Sequence, residues 1–433
     1  MPIEQVETLI VGGGQAGLAM SEQLSKRGRP HLVLERHRIV ERWRSERWDG
    51  LHANGPAWSD SMPGYPIPGV ALDEFATRDQ IVDYFLAYAE AIEAPIRCGV
   101  EVTSLRQRNT GPGFRAETSH GPIEAANVVA ATGPFQRPVV PAIVPPDPGL
   151  VQLHASAYRN PDQLPGGAVL VVGSGSSGAQ MAEELMRAGR RVYLSIGKHL
   201  RPPRRYRGRD FVWWMDTRGL WHLPVGEQTP AHVPLAFSGA YGGVSVDFRR
   251  LAAGGVVLVG RTRTYRDGVL HFAEDLAENL AEGDAARLAF LDTVDAYAAE
   301  RGLDLPEEPE ARFTLPDPPS VTNPIRTLHL SDAGIGSIIW ATGYTLDFGW
   351  LQVPVFDDRG APLHRRGVTA VPGLYFLGLP WLSKRTSSFI CGVGHDAAFL
   401  AERIAGRIAP PPGQSGEPGH TSANQRATGA YDP

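Results

Sequence analysis

Apolar and polar positions along the chain switch between two periods, and the switches outline the same unit twice. Residues 6–11 (Val-Glu-Thr-Leu-Ile-Val) form a mainly apolar run that stops at Gly12-Gly13-Gly14. Residues 16–27 then space their apolar side chains as a helix does, and residues 31–35 return to an apolar run ending on Glu35. The second copy passes from apolar residues 168–172 through Gly173-Ser174-Gly175 to a helical stretch at 176–187 and a strand at 191–195. Such a change of period across a glycine turn predicts strand, tight turn, helix, strand. Both copies fit Gly-x-Gly-x-x-Gly, through Gly12, Gly14 and Gly17 and through Gly173, Gly175 and Gly178. That spacing marks a dinucleotide pyrophosphate cradle: glycines let the backbone approach the phosphates, which rest on the positive end of the helix. One fingerprint is a weak signal. Two in separate contexts predict two dinucleotides, and so an electron-transfer enzyme.

The rest of the pattern fills in the architecture. Residues 36–77 are rich in Trp, Arg, Pro and Gly and read as irregular; residues 78–94 form an amphipathic helix with Ile81, Tyr84, Phe85, Tyr88 and Ile92 on one face. Short strands are predicted at 100–106, 114–118 and 123–130, then a proline-rich linker at 134–165. Residues 272–301 read as mainly helical with a break at Gly283, and 315–319 (Leu-Pro-Asp-Pro-Pro) as a second linker. Matching Ala-Thr-Gly turns at 131–133 and 341–343 each follow a strand, and a last helix is predicted at 393–408. The expected fold is α/β, two Rossmann-like dinucleotide-binding domains with one inserted into the other. The boundaries expected are 1–160 and 326–409 for the first domain, 161–325 for the inserted one, and a disordered tail at 410–433.

Composition narrows the chemistry. A net charge of −5 gives no reason to expect nucleic acid as a partner. No run of 18 apolar residues predicts membrane insertion, and the first strand starts too early for a signal peptide. Cys98 and Cys391 are the only cysteines, which excludes a disulfide framework, a CxxC redox pair and a cysteine-rich zinc site, and fits a cytoplasmic protein. A monomer or homodimer is expected.

The strand ends separate the two cradles. Glu35 lies 18 residues after Gly17, where a carboxylate bonds the adenosine ribose hydroxyls and repels a 2′-phosphate. The first site should therefore take FAD or NAD. The equivalent position in the second unit is Ser195, followed by Lys198, Arg201, Arg204, Arg205, Arg207 and Arg209. A cationic cluster there suits a 2′-phosphate, so the second site is expected to bind NADPH, with Lys198, Arg201 and Arg204 chosen on position.

These features together resemble the flavin-containing monooxygenases, the single-chain FAD and NADPH oxygenases, and among them the bacterial proteins similar to YUCCA-type enzymes. The resemblance spans about residues 5–408. It rests on both fingerprints, Leu34-Glu35-Arg36 followed by Trp43-Arg44, the two Ala-Thr-Gly turns, and Phe376-Leu377-Gly378. The family's FxGxxxHxxxY motif is half present: His154 and Tyr158 supply its end, while Pro148 and Leu150 replace its Phe and Gly. Leu379 follows Gly378 where relatives carry Asp, which leaves backbone groups to bind flavin there. The resemblance implies cofactor contacts from Gln15, Ala16, Ser176 and Ser177 in the cradles, and from Arg36, Trp43, Arg44, His52, Val102, Thr132, Gly133, Thr342, Gly343 and Gly378. It places Asn54, which ends Trp48-Asp49-Gly50-Leu51-His52-Ala53-Asn54, beside the flavin as the candidate catalytic residue. It further implies that O2 adds to reduced flavin as a C4a-(hydro)peroxyflavin, with one oxygen atom passing to a small organic substrate by N- or S-oxidation or carbonyl oxidation. The same motifs fit an NADPH-dependent oxidase or reductase that inserts no oxygen. Aromatic residues in 206–221 and the stretch 380–389 are candidate walls of the substrate path.

Overall fold

The computed structural model describes residues 3–226 and 233–407. Two large sheets form, each around one glycine unit, beside three small ones of two or three strands. The first runs in the order Ile96–Cys98, His31–Glu35, Glu4–Val11, Ile123–Ala130, Phe114–Thr118, Val102–Gln107. Its first four strands are mutually parallel. Strand Ile123–Ala130 shares its far edge: residues 123–125 pair antiparallel with Phe114–Thr118, and residues 128–130 pair parallel with Leu374–Phe376. Leu9, Ile10, Val128 and Val129 are fully buried, because helices cover both faces of a parallel sheet. That explains why these strands read as apolar runs.

The second sheet is wholly parallel, in the order Val257–Val259, Val192–Ser195, Ala168–Val172, Ile335–Trp340, Val151–His154. Two of its strands lie outside the expected bounds of 161–325. The edge strand Val151–His154 falls in the stretch read as a linker, and Ile335–Trp340 belongs to this sheet, not to the first. The crossings accordingly fall after the first Ala-Thr-Gly turn and after the second. The four-residue edge strand is held by its neighbour alone, so its local sequence carried no signal. The chain then returns through Leu374–Phe376 to helix Ile390–Ala405, which packs along helix Gln15–Ser25. The second unit is thus inserted into the first.

Helix Arg78–Ala91 starts with a capping box between Thr77 and Gln80 and buries Ile81, Tyr84, Phe85 and Tyr88. Helix Leu276–Arg301 is continuous for 26 residues, without the break expected at Gly283. A Cβ at that glycine would stand 2.5 Å from Nε2 of His199, so Gly283 serves close packing. The tail expected to be disordered, 410–433, lies outside the described residues.

Candidate functional site

The two glycine turns share one geometry. Gly12 has φ +115° and Gly173 φ +119°; a Cβ would fall 2.6 Å from the carbonyl oxygen of Ala131 at the first and 2.5 Å from that of Ala341 at the second. At Gly17 and Gly178 a Cβ would fall 1.9 Å from the carbonyl oxygen of Gly12 and of Gly173. Each turn is therefore pressed against its own helix and against the Ala-Thr-Gly turn of the neighbouring strand, which only glycine permits. The helices that follow, Gln15–Ser25 and Ser176–Arg187, begin at Gly14 and Gly175 with no side-chain cap and no acidic residue in the first turn. Their first N–H groups stay available to an anion.

Around the first turn the structure gathers most of the residues expected there. Glu35 accepts hydrogen bonds from the N–H groups of Gly13 at 2.7 Å and His37 at 2.9 Å, which fixes its carboxylate against the turn. Thr132 Oγ1 and the Gly133 carbonyl both accept from Gln136 Nε2, at 2.8 and 2.7 Å. Gly378 closes the other side: its Cβ would meet that of Ala16 at 2.7 Å. Gln15 Nε2 donates to the Ser388 carbonyl at 2.7 Å and ties the cradle to the segment before the last helix. Arg36 is exposed and 4.0 Å from Glu101. Val102 is buried and pairs with Thr118. The Glu35 carboxylate beside this uncapped turn fits a dinucleotide without a 2′-phosphate.

The second turn differs from expectation in its cations. Ser195 is 2% exposed, and its hydroxyl donates to the Gly260 carbonyl at 3.0 Å while accepting from the Thr262 N–H at 3.0 Å. It faces the interior. Arg201 is buried against Asp284 and Asp247. Arg204 is 1% exposed; it forms a fork with Asp210, donates to the Asn54 carbonyl at 2.6 Å, and lies 4.2 and 4.1 Å from the ring centroids of Phe75 and Phe237. Each arginine is paired with carboxylates out of water, so neither presents a free guanidinium at the cradle; Arg204 links the two units through Asp210 and the Asn54 carbonyl. Lys198 alone of the three is exposed, and it pairs with Glu282 at 3.4 Å. Ser176 donates to the Leu235 carbonyl at 2.7 Å, and Ser177 is half-buried beside it. Thr342 and Gly343, expected in the second segment of the first domain, end the second sheet: Thr342 donates to the Val139 carbonyl, and the Gly343 carbonyl accepts the Val139 N–H at 3.0 Å.

The seam between the units holds the remaining candidates. Asn54 is exposed, and its side-chain oxygen accepts from Gln180 Nε2 at 3.0 Å, on the second cradle's own helix. Trp43 packs against the cores of both units. Arg44 bonds the Ile39 carbonyl, and His52 Nδ1 lies 3.1 Å from the Gly50 carbonyl. His154 and Tyr158 are buried. The His154 ring sits 2.9 Å from both Ser156 Oγ and the Gly343 carbonyl, and burial lowers its pKa. The Tyr158 hydroxyl donates to Glu184 at 2.8 Å; burial raises the pKa of both groups.

A cavity of about 450 Å³ opens between residues 57–72, residues 216–222 and the start of the last helix with the segment before it; Trp58, Tyr65, Trp221, His222, Thr386 and Cys391 are among its walls. The two stretches expected along the substrate path meet here: the Trp221 and Phe389 rings are 5.7 Å apart, and the Arg385 N–H donates to the Leu223 carbonyl. Trp214, by contrast, is fully buried. Residues 57–72 were read only as irregular, and no periodicity marked them as a wall. Among the described residues no group of three or more His, Cys, Asp or Glu could hold a metal, and no helix is long and apolar enough to cross a membrane.

Comparison with known proteins agrees with this arrangement. Residues 9–209 match the pyridine nucleotide-disulphide oxidoreductase family. A CzcO-like oxidoreductase of Geobacillus kaustophilus is 33% identical, with 92% of this chain and 98% of that protein aligned. Indole-3-pyruvate monooxygenase YUCCA1 of rice (Oryza sativa) is also 33% identical, over 92% of this chain and 90% of its own. The solved flavin-containing monooxygenase of Stenotrophomonas maltophilia superposes with a TM-score of 0.63 at 18% identity, covering 94% of this chain and all of that one (100%). The bacillithiol disulfide reductase of Staphylococcus aureus superposes with a TM-score of 0.59 at 14% identity, over 94% and 100% of the two chains. The structural likenesses show a shared fold, and the full-length sequence identities show shared descent. With both glycine cradles, the inserted second unit and these relatives in view, the chain belongs to the flavin-containing monooxygenase family of oxidoreductases.

Proposed function

We propose that this protein is an NADPH-dependent flavin monooxygenase that places one oxygen atom of O2 into a small organic substrate, by N- or S-oxidation or by carbonyl oxidation. The observation that carries this reading is the pair of uncapped glycine-turn helices on two joined sheets, with a carboxylate at the strand end of the first only. FAD fits the first cradle. Glu35 would bond its adenosine ribose, the N–H groups of the first turn of helix Gln15–Ser25 its pyrophosphate, and the backbone at Gly378 the flavin end. NADPH fits the second cradle through Gly175, Ser176 and Ser177. Bound flavin supplies the redox chemistry, accepting hydride from the nicotinamide and passing electrons to O2.

The chain's own part is to bind, orient and keep water out. Asn54 stands on the seam, in contact with the second cradle's helix, and its side-chain amide would be offered to a cofactor bound there. The cavity beside Thr386 and Cys391 has a volume suited to a small molecule and is walled largely by aromatic and apolar groups. The similarity to an indole-3-pyruvate monooxygenase supports oxygen insertion, and the fold shared with a disulfide reductase keeps electron transfer alone as the second reading. Reduction of a disulfide by a protein dithiol finds no support, since Cys98 and Cys391 sit on separate elements.

The test is to load the protein with FAD, supply NADPH and ¹⁸O-labelled O2 with a panel of amines, sulfides and ketones, and weigh the products. One labelled oxygen in a product with matched NADPH use is expected. Hydrogen peroxide equal to NADPH consumed with every substrate would establish the oxidase reading instead. A protein that takes up no flavin would refute both.

A further inference from the structure

With Arg201 and Arg204 buried in ion pairs, the question is what could recognise a 2′-phosphate at the second cradle. The adenosine ribose of a dinucleotide lies over the end of the second strand of such a unit. Here that strand is Val192–Ser195, and the chain leaves it through Ile196, Gly197 and Lys198. Arg261 follows the adjacent strand, Val257–Val259, and its methylene groups pass over this exit: a Cβ on Gly197 would lie 3.3 Å from both Cγ and Cδ of Arg261. Gly197 therefore leaves room for Arg261 to lie across the strand end.

Arg261 is also held in place. Asp275 accepts from its backbone N–H at 3.0 Å and from its Nε at 2.5 Å. The two terminal guanidinium nitrogens have no hydrogen bond among the described residues, and the side chain is 35% exposed. Nε held by a carboxylate with the outer N–H groups free is a fork aimed outward, the arrangement that suits a phosphate. Among the described residues, the ion pairs at this exit are Lys198–Glu282 and Arg261–Asp275, and the His199 ring lies 2.9 Å from the Gly197 carbonyl. Helix Leu276–Arg301 and the residue before it supply both carboxylates, and its Asn279 donates to the Ile196 carbonyl at 3.2 Å, so one element fixes the whole exit loop. Because each cation already has a carboxylate, the local charge is balanced until a phosphate arrives, and Glu282 on its exposed partner Lys198 is the pair more easily parted.

We infer that Arg261, assisted by Lys198, holds the 2′-phosphate and is the residue that makes the second cradle prefer NADPH to NADH. This rests on the reading of that cradle as a nicotinamide dinucleotide site. It moves the main contact from the arginines of the loop after the second strand, where the sequence placed it, to a residue just past the strand beside it.

The experiment measures binding rather than turnover. FAD-loaded full-length protein is titrated by calorimetry with four probes: NADP+, NAD+, 2′-phospho-ADP-ribose and ADP-ribose. The parent should bind the two 2′-phosphorylated probes more tightly. Arg261→Ala should weaken both of those by about tenfold or more, as loss of a charge-assisted phosphate contact does, and leave NAD+ and ADP-ribose within about twofold. Arg261→Lys should fall between, and Lys198→Ala should give a smaller loss with the same selectivity. Retained ADP-ribose binding shows that the variant is folded. Equal weakening of all four probes, or unchanged NADP+ binding in Arg261→Ala, would overturn the assignment of Arg261. Failure of the parent to bind any of the four would overturn the reading of the second cradle itself.

Discussion

Glu35 is the residue on which the proposed selectivity of the first cradle rests. Its carboxylate is already turned toward the glycine turn by the N–H groups of Gly13 and His37, so no rearrangement is needed for it to meet a ribose. Glu35→Lys should lower FAD affinity by about tenfold or more, by removing a charge-assisted bond and its two backbone contacts; flavin retained through gel filtration at full occupancy would contradict this. Asp60 shows the opposite electrostatics. Burial, only partly offset by the Gly55 N–H and by Arg204, raises its pKa from 3.8 to about 6. The folded protein thus holds this proton at pH values where the unfolded chain has lost it. The associated stability is present below the unfolded pKa and is lost as pH rises from 3.8 to about 6. Asp60→Asn should remove that slope, so its melting temperature should exceed the parent's at pH 7 and match it near pH 4. A parallel pH profile for the two proteins would be the contrary result. Neither the raised pKa nor the orientation of Glu35 is visible in sequence, although the identity and spacing of Glu35 were.

At the scale of the element, helix Leu276–Arg301 tests the difference between propensity and packing. An alanine in place of a mid-helix glycine ordinarily stabilises by roughly 0.5–1 kcal/mol. Here the new methyl would press on the His199 ring, and overpacking costs about 1–3 kcal/mol. Gly283→Ala should therefore destabilise, by about 1 kcal/mol net, in urea unfolding. In a His199→Ala background the same substitution should stabilise, and a sign that stays the same in both backgrounds would rule out this contact as the cause. The glycine was legible as a departure from helical composition, but the sequence assigned it to a break because the neighbour that demands it lies on another element. The strands were the easier case: buried parallel strands announce themselves as apolar runs, whereas Val151–His154, four residues at a sheet edge, does not.

The whole molecule depends on how the inserted unit is seated. Arg204 spans the seam, with Asp210 and the Ser238 carbonyl on one side and the Asn54 carbonyl and Phe75 on the other. Arg204→Ala leaves the Asp210 carboxylate buried without its partner, which costs about 3–5 kcal/mol. The variant should melt well below the parent and its two units should become easier to separate by limited proteolysis. If Arg204 instead bound phosphate, the variant would lose NADP+ affinity with its melting temperature unchanged. The cavity is likewise a product of the whole: its walls come from residues 57–72, 216–222 and 386–391, three stretches without sequence proximity.

The sequence by itself marked the two cradles, since the glycine spacing and the apolar runs around it are local: at Gly12, Gly17, Gly173 and Gly178 a Cβ would meet a carbonyl oxygen within 3 Å. It also determined the carboxylate at the first strand end and the absence of a dithiol. Tertiary structure alone decided which cations remain free. A run of arginines carries the same charge whether it faces water or acids, and only folding showed that Asp284, Asp247 and Asp210 bury Arg201 and Arg204 while Arg261, just past another strand, keeps its outer nitrogens open. Pairing of charges across long sequence separations is a property of the fold, and on it rests the proposal that the main phosphate contact lies at the end of the neighbouring strand.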